Sequence, residues 1–144
     1  MAAARVVELR TAELLDHSRG VLDTADIEGV HDMRVASRRL RAAMEVFASC
    51  FPRKPFKRAL GDVKAIADAL GERRDLDVAI AALEQFAQGQ SAGDRRGVGV
   101  LADHLRHEQA GANDRLVAYV EPDRLHSLRN ELGLLAAAAR ERAR

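Results

Sequence analysis

Four groups that can carry positive charge recur along one short segment of the chain. They lie three or four residues apart: His31, Arg34, Arg38 and Arg41. At about 100° per residue, they fall within a sector of about 80° of an α-helix. Planar guanidinium groups pair bidentately with phosphate oxygens, so a row of them suits a ligand that is itself a row of phosphates. The spacing therefore predicts an anion-binding face on this segment.

The opposite side of the same segment is apolar, which predicts that it packs on a helical core. That side carries Met33, Ala36, Leu40, Ala43, Met44 and Phe47. Arg39 flanks the basic side, about 80° from His31. No acid interrupts the row, because Asp32 points elsewhere and Glu45 lies a turn further along. Uncompensated arginines at this spacing repel one another unless an anion lies over them.

Further basic residues extend the predicted site along the chain. Lys57 and Lys64 are seven residues apart and share a helical face, and Gly61 between them leaves room for close approach. Arg73 and Arg74 come where the sequence predicts the start of another helix, whose dipole would add positive potential. We expect these groups to line one basic surface if the helices pack as consecutive hairpins. Asp75 and Asp77 are interpreted as structural acids that orient a neighbouring arginine.

The net charge of +1 conceals a strong asymmetry. Residues 31–74 carry eleven Lys or Arg against five acids, a net charge of +6, whereas residues 1–30 carry −3 and residues 75–144 carry −2. One concentrated basic segment in a near-neutral chain favours a dedicated anion site. A solvated charged face, paired with acids from neighbouring helices, is the alternative that the pattern leaves open.

Composition predicts an all-α protein with a single domain over residues 1–144. The chain is 47% apolar with no Trp and three Pro, and it is rich in strong helix formers. Cys50 is the only cysteine and excludes an internal disulfide. No apolar run approaches the roughly 20 residues of a membrane span, and the N-terminus does not resemble a signal peptide. We therefore expect a cytoplasmic protein without membrane association, and no cofactor.

Apolar spacing and breakers predict an antiparallel bundle of about six helices arranged as helical hairpins. Gly71 is interpreted as the stop of the third helix, and residues 89–93 as the clearest loop. The predicted helices cover about residues 3–22, 30–49, 55–70, 74–88, 94–120 and 123–144.

Two stretches resemble a known family. The run VHDMRVASRRLRAAMEVF (Val30–Phe47), followed by LGERRDLDV (Leu70–Val78), is similar to the CHAD domain, the conserved histidine α-helical domain. The name of that family comes from a histidine placed as His31 is here. Its hallmarks are a V-H-D-x-R-V-x-x-R-R-L-R helix and a later R-D-L-D stretch. The match is specific over about fifty residues and loose over the rest of the chain.

The resemblance implies an all-helical fold that binds inorganic polyphosphate through its basic surface, without catalysis. It implies a role in phosphate metabolism, including polyphosphate granules, and often a companion triphosphate-tunnel hydrolase domain. The residues carried over are His31, Arg34, Arg38, Arg39 and Arg41, with Lys57, Lys64, Arg73 and Arg74 following less directly.

Family members usually contain two helical halves, and this chain resembles only the first. Residues Leu125–Arg129 faintly echo the opening of a second half but lack its double arginine. A single half would expose the apolar face that its partner half normally covers. We therefore expect a homodimer that rebuilds the two-fold arrangement.

Other functions are less well supported by the sequence. A nucleic-acid backbone binder would use the same face, but the chain is poor in aromatic residues for base stacking. A purely structural bundle that recruits a protein partner is a further alternative. A phosphohydrolase is disfavoured because no cluster of acids accompanies the basic residues. His31 next to Asp32 lacks a nucleophile for acid–base catalysis, and His104 with His107 lacks a third metal ligand.

Overall fold

The computed structural model describes residues 1–144 and contains five α-helices and no strand. In chain order they are α1 (Ala2–Asp16), α2 (Glu28–Val46), α3 (Arg53–Ala87), α4 (Ala92–Val120) and α5 (Pro122–Arg142), with a short 3₁₀ turn at Ala48–Cys50 between α2 and α3. The all-α prediction is confirmed. The count of about six helices is corrected to five, because the third and fourth predicted helices are one.

Helix α3 runs through the predicted stop at Gly71 without interruption. Only Gly20 among the glycines adopts a positive φ, so Gly71 keeps a helical backbone. A glycine in a helix interior costs about 1 kcal/mol relative to alanine, which is a weak breaker beside strong helix formers. At 35 residues α3 is about 52 Å long, nearly twice the length of α2.

Helix α1 ends at Asp16 and not near Leu22 as the sequence predicts. Residues 17–27 form an irregular connection in which Gly20 adopts φ +70°, a conformation that glycine enters without steric cost. The connection folds back so that Val21 is buried in the core. Just before α2, the Asp26 carboxylate accepts from the Glu28 N–H at 3.1 Å.

One hydrophobic core draws on all five helices and includes Val21 of the connection. Met33, Ala36, Leu40 and Met44 of α2 are buried in it, which confirms the predicted apolar side of that helix. Helix α2 packs on α1 and on α3, and α5 packs mainly on α1. Helices α2 and α3 are antiparallel, because Arg34 near the start of α2 contacts Gly71, whereas Glu45 near its end lies next to the earlier Lys64.

The second half of α3 and the first half of α4 form a hairpin that extends past this core. The hairpin is antiparallel, since Asp77 contacts Gln109 and Glu84 contacts Arg106. No core-cluster residue of α3 follows Leu70, and none of α4 precedes Leu116. Ser91 caps α4 by accepting from the Asp94 N–H. None of the helices combines the length and the apolar character that a membrane span needs.

Candidate functional site

The basic side of α2 is accessible and almost free of carboxylates. Arg38 and Arg39 are exposed, and His31, Arg34 and Arg41 are half-buried. The only ion pair in this set joins Arg41 to Glu45, with Nε and Oε1 3.2 Å apart. No acid from a neighbouring helix pairs with any of the five groups. The structure therefore does not show the alternative in which acids of neighbouring helices neutralise the face.

Arg34 contacts the middle of α3 at Gly71. A Cβ built on Gly71 would lie 3.6 Å from the Arg34 Nε and 3.9 Å from its Nη2. Seven residues further along α2 is Arg41, and seven residues back along α3 is Lys64. These two are linked by Glu45, which lies 3.8 Å from the Lys64 Nζ. The basic side of α2 thus borders α3, and lysines of α3 join it.

Lys57 and Lys64 share a face of α3, as the sequence predicts. Both line a shallow depression of about 710 Å³ next to the 3₁₀ turn. Lys57 is exposed and makes no ion pair. Arg53 lines the same depression, whose floor includes Phe51 and Phe56. The cationic surface therefore continues from the end of α2 onto the first turns of α3.

Arg74 lies one helical turn beyond Gly71, near the end where α2 begins. Its Nη1 is buried and has no hydrogen-bond partner in the protein. Guanidinium nitrogens out of water normally find acceptors, because an unsatisfied buried donor costs about 1–3 kcal/mol. Arg74 as a whole is half-buried, so another part of its side chain is accessible to a ligand.

We call this surface the basic seam. It consists of the α2 groups together with three cations of α3: His31, Arg34, Arg38 and Arg41, with Lys57, Lys64 and Arg74. Arg39 stands at its edge, because consecutive helical residues point about 100° apart. These cations form a row along two adjacent antiparallel helices. Such a row can hold an extended polyanion by charge and by bidentate hydrogen bonds.

The comparison with protein families matches the model of the CHAD domain to residues 5–144. The chain belongs to the CHAD-domain family. The match includes both hallmark stretches, the one on α2 and the one on α3. Comparisons with curated proteins and with solved structures gave no match.

Arg73, the neighbour of Arg74 in this CHAD domain, is not part of the basic seam. Its side chain is 0% exposed, and its Nε donates to Asp77 at 2.9 Å. The Nη1 donates to the Asn113 Oδ1 at 2.5 Å and to the Val21 carbonyl at 3.3 Å, while the Nη2 donates to the Asp23 carbonyl at 3.2 Å. Arg73 was predicted to bind the anion; that prediction is corrected, because every contact of the buried guanidinium is internal.

The α3 stretch of the CHAD hallmark therefore has two separate roles. Arg74 lies one turn from Gly71, about 60° from it around α3 and so on the side that Arg34 contacts. Asp77 is buried and holds Arg73, assisted by Gln109 at 2.6 Å. This confirms the structural interpretation of Asp77. The helix N-terminus predicted at Arg73 and Arg74 does not exist, since α3 is continuous there. Its dipole consequently contributes nothing to the seam.

The remaining candidates lie away from the basic seam. His104 pairs with Glu108 at 3.3 Å on an exposed face of α4, and His107 is exposed. No group of three His, Cys, Asp or Glu side chains in residues 1–144 converges as metal ligands would. Asp75 is exposed on α3, and it lines a depression with Glu72 and His107.

Glu131 is a titratable group that the sequence gives no reason to single out. It lies on α5 next to Asp62 of α3, and both line a small cavity of about 260 Å³. Burial, together with the hydrogen bond and the negative charge of Asp62, raises the pKa of Glu131 to about 7 against the opposing charge of Arg58. The sequence separates the two acids by 69 residues, so only the packing of α5 on α3 reveals the pair.

Proposed function

We propose that this CHAD domain binds inorganic polyphosphate along the basic seam and does not catalyse a reaction on it. The observation that carries the proposal is the arrangement of charge. Cations of two adjacent helices line one surface, and Glu45 is the only acid that pairs with any of them. Association of CHAD domains with polyphosphate agrees with a site of this kind. We expect the activity in the cytoplasm, polyphosphate granules included.

The lack of exposed aromatic rings at the basic seam favours polyphosphate over nucleic acid. Single-stranded nucleic acids are held largely by stacking of bases on exposed aromatic rings. Phe51 and Phe56, which flank the seam, are buried and stack on each other at 5.7 Å. Phe86 is exposed, but it lies twelve residues beyond Arg74, about 18 Å along α3. The basic seam therefore offers phosphate contacts without a stacking platform.

A titration with long-chain polyphosphate at physiological salt tests the proposal, with duplex DNA as competitor. The variant Arg34→Ala/Arg38→Ala/Arg41→Ala removes three seam arginines and should abolish specific binding while the protein stays folded. A matched control removes three exposed arginines elsewhere, with the changes Arg96→Ala/Arg129→Ala/Arg142→Ala, and should retain most of the affinity. Equal competition by DNA at matched phosphate, or unchanged affinity of the seam variant, would contradict the proposal.

A homodimer is the second part of the proposal. The hairpin that extends past the core exposes large apolar side chains, among them Phe86 at 57% and Val100 at 72% exposure. Exposed apolar groups of this size are commonly covered by a partner, and a second copy would do so with two-fold symmetry. Sedimentation at micromolar concentration should give twice the mass of the chain. The variant Phe86→Glu should lower the measured mass towards that of a monomer. A monomeric mass for the unchanged protein would contradict this part alone.

A further inference from the structure

Glu45 is the only acid that pairs with cations of the basic seam. It lies on α2 one turn beyond Arg41, and its Oε1 accepts from the Arg41 Nε at 3.2 Å. The same oxygen lies 3.8 Å from the Lys64 Nζ of α3. The carboxylate thus bridges the two helices across the seam, at the position where a phosphate would contact both cations.

This carboxylate divides the seam into two unpaired parts. Towards the start of α2, Arg34 and Arg74 have no acidic partner. Towards the 3₁₀ turn, Lys57 and Arg53 have none either and border the depression that Lys64 shares. A short anion can bind in one part without meeting Glu45. A chain that follows the seam from Arg34 to Lys57 must pass the carboxylate.

The ion pairs of Glu45 with Arg41 and Lys64 are exposed enough to break when a ligand binds. The side chains of Arg41, Glu45 and Lys64 are 42%, 46% and 42% exposed. Ion pairs at such exposure contribute roughly 0–1 kcal/mol each, because water and salt screen them and both side chains lose freedom. A phosphate of a long chain, held nearby by other contacts, can therefore displace the carboxylate. Binding must still offset the loss of both Glu45 ion pairs and the repulsion between the Glu45 carboxylate and the ligand.

We propose that Glu45 is an internal competitor for the polyanion, which weakens the binding of chains that span the basic seam. The inference rests on the proposed function, and it adds a residue that limits the affinity of the same site. Carboxylate and phosphate compete for the same two cations, Arg41 and Lys64. Removal of the negative charge at Glu45 should therefore join the two unpaired parts into one continuous site.

The test compares Glu45→Gln with the wild-type protein in a titration with long-chain polyphosphate over a series of salt concentrations. Glutamine keeps the shape and an acceptor for the Arg41 Nε but lacks the charge. We expect roughly three- to tenfold tighter binding at physiological salt, the change that two exposed ion pairs and one repulsion allow. The dependence of affinity on salt should become steeper, because two more cations engage the ligand.

The matched control is Glu84→Gln, which removes an equal charge from an exposed ion pair with Arg106 on the far hairpin. It should change the affinity less than twofold. Equal gains for both variants would reduce the effect to net charge and overturn the inference, as would unchanged affinity of Glu45→Gln. In both cases the wild-type protein still binds, so the proposed function would stand.

Absence of polyphosphate binding separates the two proposals in another way. If neither the wild-type protein nor Glu45→Gln binds, the proposed function fails and the inference falls with it. If only Glu45→Gln binds, Glu45 does compete for the site, but the unaltered protein does not bind polyphosphate and the proposed function fails. Thermal unfolding of each variant checks that the fold is unchanged, since exposed substitutions of this kind usually alter stability by no more than about 0.5 kcal/mol.

Discussion

The Arg34 guanidinium lies against the backbone of Gly71, so close that a Cβ at Gly71 would be 3.6 Å from its Nε. Glycine is a poor choice for the interior of a long helix, where it costs about 1 kcal/mol. An alanine Cβ would meet the guanidinium at an ordinary contact distance, whereas a much larger side chain would push it away from α3. Gly71 thus leaves room for an arginine of the basic seam and does not end a helix.

The first prediction concerns the size of the residue at position 71. Gly71→Ala should raise the free energy of unfolding by about 0.5–1 kcal/mol, because alanine is the better helix former and its Cβ would meet Arg34 at an ordinary contact distance. Gly71→Leu should displace the guanidinium and weaken polyphosphate binding. Chemical denaturation and titration measure the two effects. As a control, Gly133→Leu on α5 has open space at its Cβ and should bind normally; equal binding by Gly71→Leu would contradict the role of Gly71.

The second prediction concerns the buried Arg73. Arg73→Met should lower the free energy of unfolding by about 3–5 kcal/mol, since it leaves Asp77 buried without its cation. It also removes the donors to the Val21 and Asp23 carbonyls, which tie the α1–α2 connection to α3. Denaturation measured by circular dichroism gives the loss. The double variant Arg73→Met/Asp77→Leu should lose less than the single one, and a loss under 1 kcal/mol for Arg73→Met would refute the account.

Helix α2 could be predicted well because its pattern is local. The apolar residues recur at helical spacing and the basic residues fall on the other side, so both sides follow from periodicity alone. Gly71 was misread because its signal is ambiguous. A glycine that ends a helix and one that admits an arginine from a neighbouring helix look alike until the neighbour is placed.

Arg73 and Arg74 illustrate what the sequence could not decide. They are adjacent and chemically identical, but they point about 100° apart on α3. Which of them faces the interior depends on where α4 and the α1–α2 connection pack, and both are distant in sequence. Asn113 and Asp23, which receive hydrogen bonds from Arg73, are 40 and 50 residues away. The spacing of Asp77, four residues after Arg73, was the one local signal for a buried pair.

The third prediction contrasts Arg74 with its neighbour. Arg74→Met should leave the free energy of unfolding unchanged or raise it by up to about 1 kcal/mol, because it removes a buried donor that has no partner. The same change should weaken polyphosphate binding about tenfold through loss of a charge-assisted contact. Titration and denaturation of the same samples test both. Arg96→Met, at an exposed position on α4, should change neither; destabilisation by Arg74→Met would show that Arg74 has a structural role.

The last prediction concerns pH and the pair formed by Glu131 and Asp62. Folding raises the pKa of Glu131 from 4.5 to about 7, first through burial and then through Asp62. The folded protein therefore holds a proton that the unfolded chain releases above pH 4.5. Its contribution to stability is complete below pH 4.5 and is lost as the pH rises to about 7. Glu8 acts in the opposite direction and at lower pH, because its hydrogen bond with Arg140 lowers the pKa of that carboxyl.

Glu131→Gln should remove this dependence, since glutamine stays neutral and can still donate to Asp62. We expect the variant to exceed the wild-type protein in stability by about 1–2 kcal/mol at pH 8. This is less than the full shift would give, because solvent screens the half-buried Glu131 and the exposed Asp62. At pH 4 the two proteins should be nearly equal. Denaturation curves at several pH values measure the difference, and Glu84→Gln, at an exposed ion pair, should follow the wild-type profile. A difference that does not grow between pH 4.5 and 7 would show that the carboxyls of α3 and α5 do not share a proton.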